Sequence, residues 1–200
     1  MPSEPMRNVA SIVTLFGPSP QCNPSGGAMF APVVRALMRV PTLLLLASTH
    51  AFGAGTHCLP HESVAFSCSL AVSKVVSVCF AKASNAKPAT LFYRFGRLGA
   101  PELVFPESPA GSLQRFRYAH YFRYQVDRTE LNFSNAGVEY SVFDDYDGEE
   151  RPKYARGVRV TANGKEHELL CKRDVASHLK ELAALVPCDA ESGLTLDGCK

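Results

Sequence analysis

The sequence contains no tryptophan and no catalytic motif. Trp is strongly enriched at the hot spots of protein interfaces, so a binding surface here has to rely on the 12 Phe and 7 Tyr. The Gly-x-Ser-x-Gly signature of a hydrolase nucleophile is missing. We therefore predict no catalytic residue and no cofactor, and we favour a protein that acts by binding rather than by catalysis.

The sequence also lacks an excess of either charge. Three of the 21 Lys and Arg and one of the 19 Asp and Glu precede Thr56, so 18 residues of each sign remain from Thr56 onward. A neutral chain has no bulk attraction for nucleic acid or anionic lipid. The composition therefore argues against nucleic acid as a partner.

No apolar run is long enough to cross a bilayer, which takes about 20 residues. The short apolar stretch 40–47 follows the positive charges of Arg35 and Arg39 and precedes the small-x-small sequence 51–53. These are the three parts of a secretory signal peptide. We predict a signal peptide at 38–55 and no membrane anchor after its cleavage, which implies a periplasmic or secreted protein.

The N-terminal segment does not look like part of the fold. Residues 1–28 are rich in Pro, Gly and Ser and show no periodicity. Because a signal peptide normally opens a chain, we expect translation to begin at Met29 or Met38; the alternative is a disordered tail. We set 1–37 apart as disordered or a mis-assigned start and expect a single β-rich domain at 56–200.

Cysteine usage agrees with export. One of the seven cysteines, Cys22, falls in the N-terminal segment. The even set that remains predicts three disulfides, formed among Cys58, Cys68, Cys79, Cys171, Cys188 and Cys199. Six cysteines permit many pairings. If the first two predicted strands form a hairpin, Cys79 lies near Cys58 and Cys68 is left for Cys171, while Cys188 and Cys199 close a C-terminal loop.

Short β-branched and aromatic runs separated by turn residues predict a mainly β fold. We expect an antiparallel sandwich or barrel-like sheet that is stapled by disulfides. The predicted strands are Ser63–Ser69, Lys74–Phe80, Thr90–Phe95, Glu102–Phe105, Arg115–Tyr118, Tyr121–Val126, Thr129–Ser134, Val138–Asp144, Gly157–Ala162 and Glu166–Cys171.

Asn163-Gly164 predicts a two-residue type I′ turn, because both residues tolerate the positive φ that this turn needs. Asp147-Gly148 and Asn135-Ala136-Gly137 are further turn candidates. The first turn sets a register that places an opposite-charge pair on one face. It pairs Ala162 with Lys165, Val160 with His167, Arg159 with Glu168, and Val158 with Leu169.

Apolar residues at helical spacing follow the strands. Val175, Leu179, Leu182 and Val186 recur at intervals of three and four. With Asp174 as N-cap and a proline after Val186, the pattern predicts one C-terminal amphipathic helix at about 174–186. Such a helix spans roughly 18 Å, so it would hold Cys171 and Cys188 too far apart for a disulfide.

Two clusters have the residue types of metal sites. His57-Cys58-x-x-His61 has zinc-ligand spacing, but Cys58 belongs to the disulfide set. Residues 144–150 carry five carboxylates, the ligands that calcium prefers, but without EF-hand spacing. An acidic turn at Asp147-Gly148 explains them. We therefore predict no metal site.

Residues 115–128 interleave basic and aromatic side chains. Proteins that bind single-stranded nucleic acid use this combination, but Arg115 and Arg117 alternate with Phe116 and Tyr118 as in a strand with one buried face. Together with the neutral charge, the run favours a protein-contact surface. We therefore expect an envelope or extracellular protein as the partner.

No histidine has the sequence context of a general base: His61, His120, His167 and His178. A hydrolase site could still be assembled in space, since triads are defined by geometry and not by sequence order. Such a site would bring His120 or His61 close to a serine and a carboxylate. It is one alternative to a binding function.

Five segments carry a resemblance to known proteins: Phe66-Ser67-Cys68, Lys74 to Cys79, Leu91 to Gly96, Pro101 to Pro106 and Leu170-Cys171. In these segments the chain resembles a group of short exported Gram-negative proteins that have a four-Cys core and no established activity. The resemblance covers about Cys58 to Cys199. It implies an envelope or secreted location and says nothing about chemistry.

Ser134-x-x-Gly137-x-x-Tyr140 resembles the motif of the periplasmic C-type lysozyme inhibitors, which are small exported β-barrels. In that family a serine loop inserts into the lysozyme cleft. The resemblance implies a binding loop at Ser134, Gly137 and Tyr140, although Ala136 stands where the family usually carries a second serine. Inhibition of lysozyme is therefore a second alternative function.

Overall fold

The computed structural model describes residues 55–85, 87–195, 198 and 199. The segment 1–37 and the signal peptide predicted at 38–55 thus lie outside the described residues, apart from Gly55. In the described part of the chain, no helix is long and apolar enough to span a membrane. The strands are β1 (Ser63–Ser69), β2 (Val75–Ala81), β3 (Thr90–Arg97), β4 (Ala100–Phe105), β5 (Arg117–Arg123), β6 (Val126–Asn135), β7 (Val138–Asp147), β8 (Lys153–Ala162), β9 (Lys165–Leu170) and β10 (Arg173–Ser177).

The ten strands form two antiparallel sheets, as a sandwich-like fold requires. The first sheet has the order β10-β1-β2-β3-β4 and the second the order β5-β6-β7-β8-β9. The chain passes from the first sheet to the second after β4 and returns after β9, so neighbours in each sheet are neighbours in sequence except for β10 and β1. Buried side chains of both sheets share one core. The prediction of a mainly β, antiparallel and disulfide-linked fold is confirmed.

A column of aromatic rings joins the two sheets at the centre of the core. Phe133 of β6 stacks on Tyr140 of β7 with ring centroids 4.7 Å apart and on Phe105 of β4 at 4.4 Å. Tyr93 of β3 lies 4.9 Å from Phe133. Aromatic pairs add about 0.5–1.5 kcal/mol each beyond the burial of their area, so this column stabilises the packing of one sheet on the other.

Two of the predicted turns are two-residue hairpins with positive φ at both central positions. Asn163 and Gly164 have φ of 51° and 71°, and β8 and β9 pair in the predicted register, from Ala162 with Lys165 to Val158 with Leu169. Ala136 and Gly137 likewise connect β6 to β7. At the third candidate, Asp147 ends β7 and a longer connection, 148–152, leads into β8.

The helix predicted at 174–186 is wrong. Arg173–Ser177 is strand β10, which pairs with β1, and only Leu179–Leu182 forms a 3₁₀ turn. An isolated helix of a dozen residues is marginal in water, whereas the open edge of β1 offers this segment a ladder of backbone hydrogen bonds. Because the disulfide to Cys68 holds Cys171, two residues before β10, against β1, strand pairing outweighs the weak helical preference.

The apolar spacing in this segment has a different cause. Leu179, Leu182 and Val186 all point into the core, while Val175 is partly exposed on β10. The 3₁₀ turn therefore covers one end of the sandwich, where it contacts β1 and β6. A second correction concerns β5, which is one strand and not the two predicted at Arg115–Tyr118 and Tyr121–Val126.

Within the described ranges of the chain, three disulfides hold peripheral segments to the sheets. They join Cys58 to Cys79, Cys68 to Cys171 and Cys188 to Cys199, the pairs that the sequence analysis favours. Disulfides of this kind form and persist in oxidising compartments outside the cytosol. The first fastens the segment before β1 to β2, the second spans the return from β9 to β10, and the third closes the C-terminal loop.

Candidate ligand-binding cleft

The inner face of the second sheet changes from apolar to polar along its strands. Leu131 of β6, Val142 of β7 and Val158 of β8 lie side by side in the core and are fully buried. Side chains two residues apart share a face of a strand. Two residues further along each strand, the same face therefore carries a polar row: His120, Thr129, Asp144 and Arg156.

The next row on this face is the last one at this end of the sheet, and three of its four residues are aromatic. It consists of Phe122, Asp127, Tyr146 and Tyr154, which are consecutive partners across β5 to β8. Phe122 is 71% and Tyr154 62% exposed. Tyr124, in the tight turn between β5 and β6, is 83% exposed. Large aromatic side chains are therefore gathered at one end of the second sheet, where the first sheet does not cover them.

The C-terminal 3₁₀ turn forms the opposite wall of a cleft at this end. Leu179 and Leu182 anchor the turn in the core, and the N–H of His178 donates to the carbonyl of Ala65 at 2.7 Å. Between this wall and the two rows lies a cavity of about 390 Å³. We call it the end cleft. Its lining residues are Asp127, Thr129, Asp144, Tyr146, Tyr154, Arg156, Ser177, His178, Leu179, Lys180 and Glu181.

Asp127 is the link between the sheet and the 3₁₀ turn. One carboxylate oxygen lies 2.9 Å from Nε2 of His120, and the other accepts a hydrogen bond from Lys180. Burial alone would raise the pKa of Asp127, but the hydrogen bonds and positive charge of Lys180 and His120 outweigh it and hold the pKa below its usual value. The lowered pKa keeps the Asp127 carboxylate ionised, so this side chain contributes a fixed negative charge to the cleft.

The other charged groups of the end cleft are paired as well. Arg156 donates to Asp144 at 2.6 Å, and its guanidinium lies 4.3 Å from the ring centre of Tyr154. The rings of Tyr146 and Tyr154 are 4.9 Å apart and tilted. Pairing and stacking restrict the rotamers of these long side chains, so the surface of the cleft is largely organised before any ligand arrives.

The residues predicted as a binding loop do not lie in the end cleft. Ser134 and Gly137 are exposed at the β6–β7 turn, whereas Tyr140 is 3% exposed in the core. Burial raises the pKa of the Tyr140 hydroxyl. Only the first two residues of this motif are therefore open to a partner.

Several of the remaining candidates of the sequence analysis have structural partners. Cys58 is in a disulfide, and Nε2 of His57 lies 3.3 Å from the carbonyl oxygen of Gly96. His120 contacts Asp127, but in the described ranges no serine hydroxyl is hydrogen-bonded to His120 or His61. The geometry of a Ser/His/Asp triad is thus not formed by these histidines.

Sequence reasoning missed the main residues of the cleft. Tyr146, Tyr154 and Lys180 were not singled out, because their proximity depends on strand register and on the 3₁₀ turn. The two-residue turns at Ala136-Gly137 and Asn163-Gly164 fix how β6 pairs with β7 and how β8 pairs with β9. The longer connection 148–152 leaves open the β7–β8 register that brings Tyr146 to Tyr154. The position of Lys180 was hidden by the incorrect helix.

Comparison with protein-family models, with curated proteins and with solved structures finds no match to this chain.

Proposed function

We propose that this protein is an exported, non-enzymatic β-domain, periplasmic or secreted, that binds an envelope or extracellular protein through the end cleft. The observation that carries the proposal is the group of exposed aromatic residues Phe122, Tyr124 and Tyr154 around a cleft of charged side chains. Aromatic residues and arginine dominate the binding energy of protein interfaces. In a chain without Trp, Tyr and Phe take this role.

The arrangement of polar groups supports binding at this place. Interfaces are typically built from an anchor of aromatic residues and a polar rim. Here Tyr154 supplies an aromatic anchor in the cleft, and the exposed Phe122 lies next to it as the strand partner of Asp127. Asp127, Arg156 and Lys180 supply both signs of charge within the cleft. A partner with a complementary pattern would gain orientation from the charges and affinity from the buried rings.

The pairing of the charged groups favours binding over catalysis. A general acid or base works best when its pKa lies near the ambient pH, but the pKa of Asp127 is lowered by its partners. Asp144 is bound to Arg156, and His178 lies 3.4 Å from Glu181. These contacts are those of a fixed polar surface, which supports a non-enzymatic role.

Export is supported by two independent features. The sequence at 38–55 has the three parts of a signal peptide, and the domain that follows contains three disulfides. A small domain of this kind gains stability from such bridges in the periplasm or outside the cell.

Capture with crosslinking tests the proposal. The tagged full-length protein, exported by its natural host, is crosslinked in periplasm or culture medium, and the captured proteins are identified and quantified. We expect one partner that is retained with the Leu98→Ala variant, an exposed apolar residue elsewhere, and reduced at least tenfold with Phe122→Ala plus Tyr154→Ala. Equal capture by both variants would show that the partner does not bind at the end cleft.

A second candidate function is inhibition of lysozyme through the β6–β7 turn. Exposure of Ser134 and Gly137 in this turn favours it. The purified protein in excess should then slow lysis of bacterial cell walls by lysozyme, and Ser134→Arg should abolish the effect. Unchanged lysozyme activity at a large excess of protein excludes this function.

A further inference from the structure

The outer face of the second sheet carries a groove that the proposed function does not use. Its floor is formed by β6 to β9. Its walls are formed by Gln114, Arg115 and Arg117 at the start of β5 and by the C-terminal loop from Asp189 to Gly193, with a cavity of about 790 Å³ between them. We call it the outer groove. Asn132 ties the wall to the floor, because its amide donates to the Asp189 carboxylate at 2.9 Å.

One row of the floor leaves two carboxylates facing the same gap. Glu139, Thr161 and Glu166 are consecutive partners across β7, β8 and β9 and point to the outer face. Adjacent strands are about 4.8 Å apart, so the two backbone positions lie about 10 Å from each other with a short threonine side chain between them. In the described part of the chain neither carboxylate forms an ion pair or a hydrogen bond.

The adjacent row of the floor is also rich in negative charge. The guanidinium of Arg159 contacts Glu130, Asp145 and Glu168 at 2.9, 2.8 and 3.1 Å, so three carboxylates surround one cation. Burial raises the pKa of Glu130 and of Asp145, against the attraction of Arg159. Additional positive charge near this row would therefore be stabilised.

A second kind of observation points to a missing hydrogen-bond partner. Among the residues that the structure describes, the buried hydroxyl oxygen of Ser141 and the buried side-chain carbonyl oxygen of Asn132 have no hydrogen-bond partner. They are neighbours across β6 and β7, in the row of Arg159, and both line the groove. Buried polar groups are nearly always hydrogen-bonded. A donor that enters the groove beside Arg159 would supply this bond.

From these features we infer that the outer groove binds an extended, basic segment of a partner protein, with an arginine or lysine side chain seated above Thr161 between Glu139 and Glu166. The chemistry is complementary, because a guanidinium or ammonium group has several donors and the floor presents acceptors and carboxylates. The length of the groove across four strands suits a peptide in extended conformation. This site is separate from the end cleft and does not depend on it.

Titration of the isotope-labelled full-length protein with octa-arginine and with octa-glutamate peptides tests the inference by NMR. We expect the arginine peptide to shift amide signals around 134–141 and 161–166, with an affinity that falls as salt rises. The glutamate peptide should leave these signals in place. Glu139→Gln plus Glu166→Gln should weaken binding at least tenfold, whereas Glu107→Gln plus Glu150→Gln, which removes the same charge elsewhere, should change it less than twofold.

A second variant distinguishes binding at the proposed seat from non-specific electrostatic attraction. Thr161→Arg places a cation of the protein's own in the proposed seat, and we expect it to block the peptide while the spectrum keeps the dispersion of a folded β protein. Binding that is equal in the groove and control variants, or shifts confined to other surfaces, would overturn the inference. Tyr154→Ala should leave peptide binding unchanged, so failure of the end cleft and failure of the outer groove give different results.

Discussion

Glu62 and Arg94 form a two-pronged ion pair that fastens the segment before β1 to β3. The two guanidinium nitrogens lie 2.6 and 2.9 Å from the two carboxylate oxygens, and the side chains are only 2% and 11% exposed for Glu62 and Arg94. Glu62 also accepts the N–H of Leu59, and Arg94 also donates to the carbonyl of His57. The pair thus organises a segment that has no regular secondary structure.

Replacing Arg94 by leucine should strongly destabilise the protein. The substitution leaves the buried carboxylate of Glu62 without its counter-charge, and breaking a buried pair in this way costs about 3–5 kcal/mol. Chemical denaturation followed by circular dichroism measures the free energy of unfolding. The control is Arg123→Ala, because the pair of Arg123 with Glu149 is half exposed and its loss should leave this free energy unchanged.

The same pair should make stability depend on acid. Burial raises the pKa of Glu62, but hydrogen bonds from Arg94 and Leu59 and the nearby charge bring it below the ordinary value of 4.5. A carboxyl group whose pKa is lower in the folded state than in the unfolded state stabilises the protein at pH values above the ordinary pKa. This contribution disappears as the pH falls through the lower, folded-state pKa. The stability difference between the natural protein and Glu62→Gln should therefore shrink between pH 6 and pH 3. A difference that stays constant over this range would contradict the assignment.

The three disulfides should differ in how much they stabilise the fold. Cys68–Cys171 joins residues 103 apart, and Cys188–Cys199 joins residues 11 apart. A disulfide lowers the entropy of the unfolded chain, and it stabilises the folded protein more when it closes a longer loop. The expected stabilisation is about 4.7 kcal/mol for a loop of roughly 100 residues and about 3 kcal/mol for one of roughly 15. Replacing Cys68 and Cys171 by alanine should lower Tm more than replacing Cys188 and Cys199. Thermal unfolding of the two double variants checks the order, with thiol titration to confirm that the other bridges remain.

Gly157 of β8 should not tolerate a side chain. A Cβ at this position would lie 2.1 Å from the carbonyl oxygen of Leu169 on β9, and backbone cannot move aside as a flexible side chain can. Gly157→Ala should lower the free energy of unfolding by about 1–3 kcal/mol. Gly193→Ala is the matched control, since a Cβ there meets nothing within 4 Å. Equal stability of the two variants in a denaturation experiment would show that β9 can shift.

The local parts of the fold could be predicted from the sequence. The hairpin at Asn163-Gly164 was predicted with its register, because a two-residue turn with two residues at positive φ leaves a single way to pair the flanking strands. The alternation of buried and exposed residues along the strands is a local signal of the same kind. Most strands therefore lie where the pattern places them, within a few residues at the ends.

The long-range parts could not be predicted in this way. The helical spacing of Leu179, Leu182 and Val186 is genuine, but the choice between helix and strand for Arg173–Ser177 depends on the open edge of β1, more than a hundred residues earlier. The end cleft depends on the same choice, because Lys180 reaches Asp127 only when the 3₁₀ turn caps the sandwich. A single sequence contains no direct signal for such contacts.

The pairing of β10 with β1 has a consequence for how the protein is made. The ribosome synthesises β1 first and β10 almost last, so β1 cannot pair with β10 until most of the chain has been made. Contacts this distant in sequence form slowly because a long loop must be closed first. The nascent polypeptide therefore keeps an unpaired strand edge at β1 until nearly all of the chain has been synthesised.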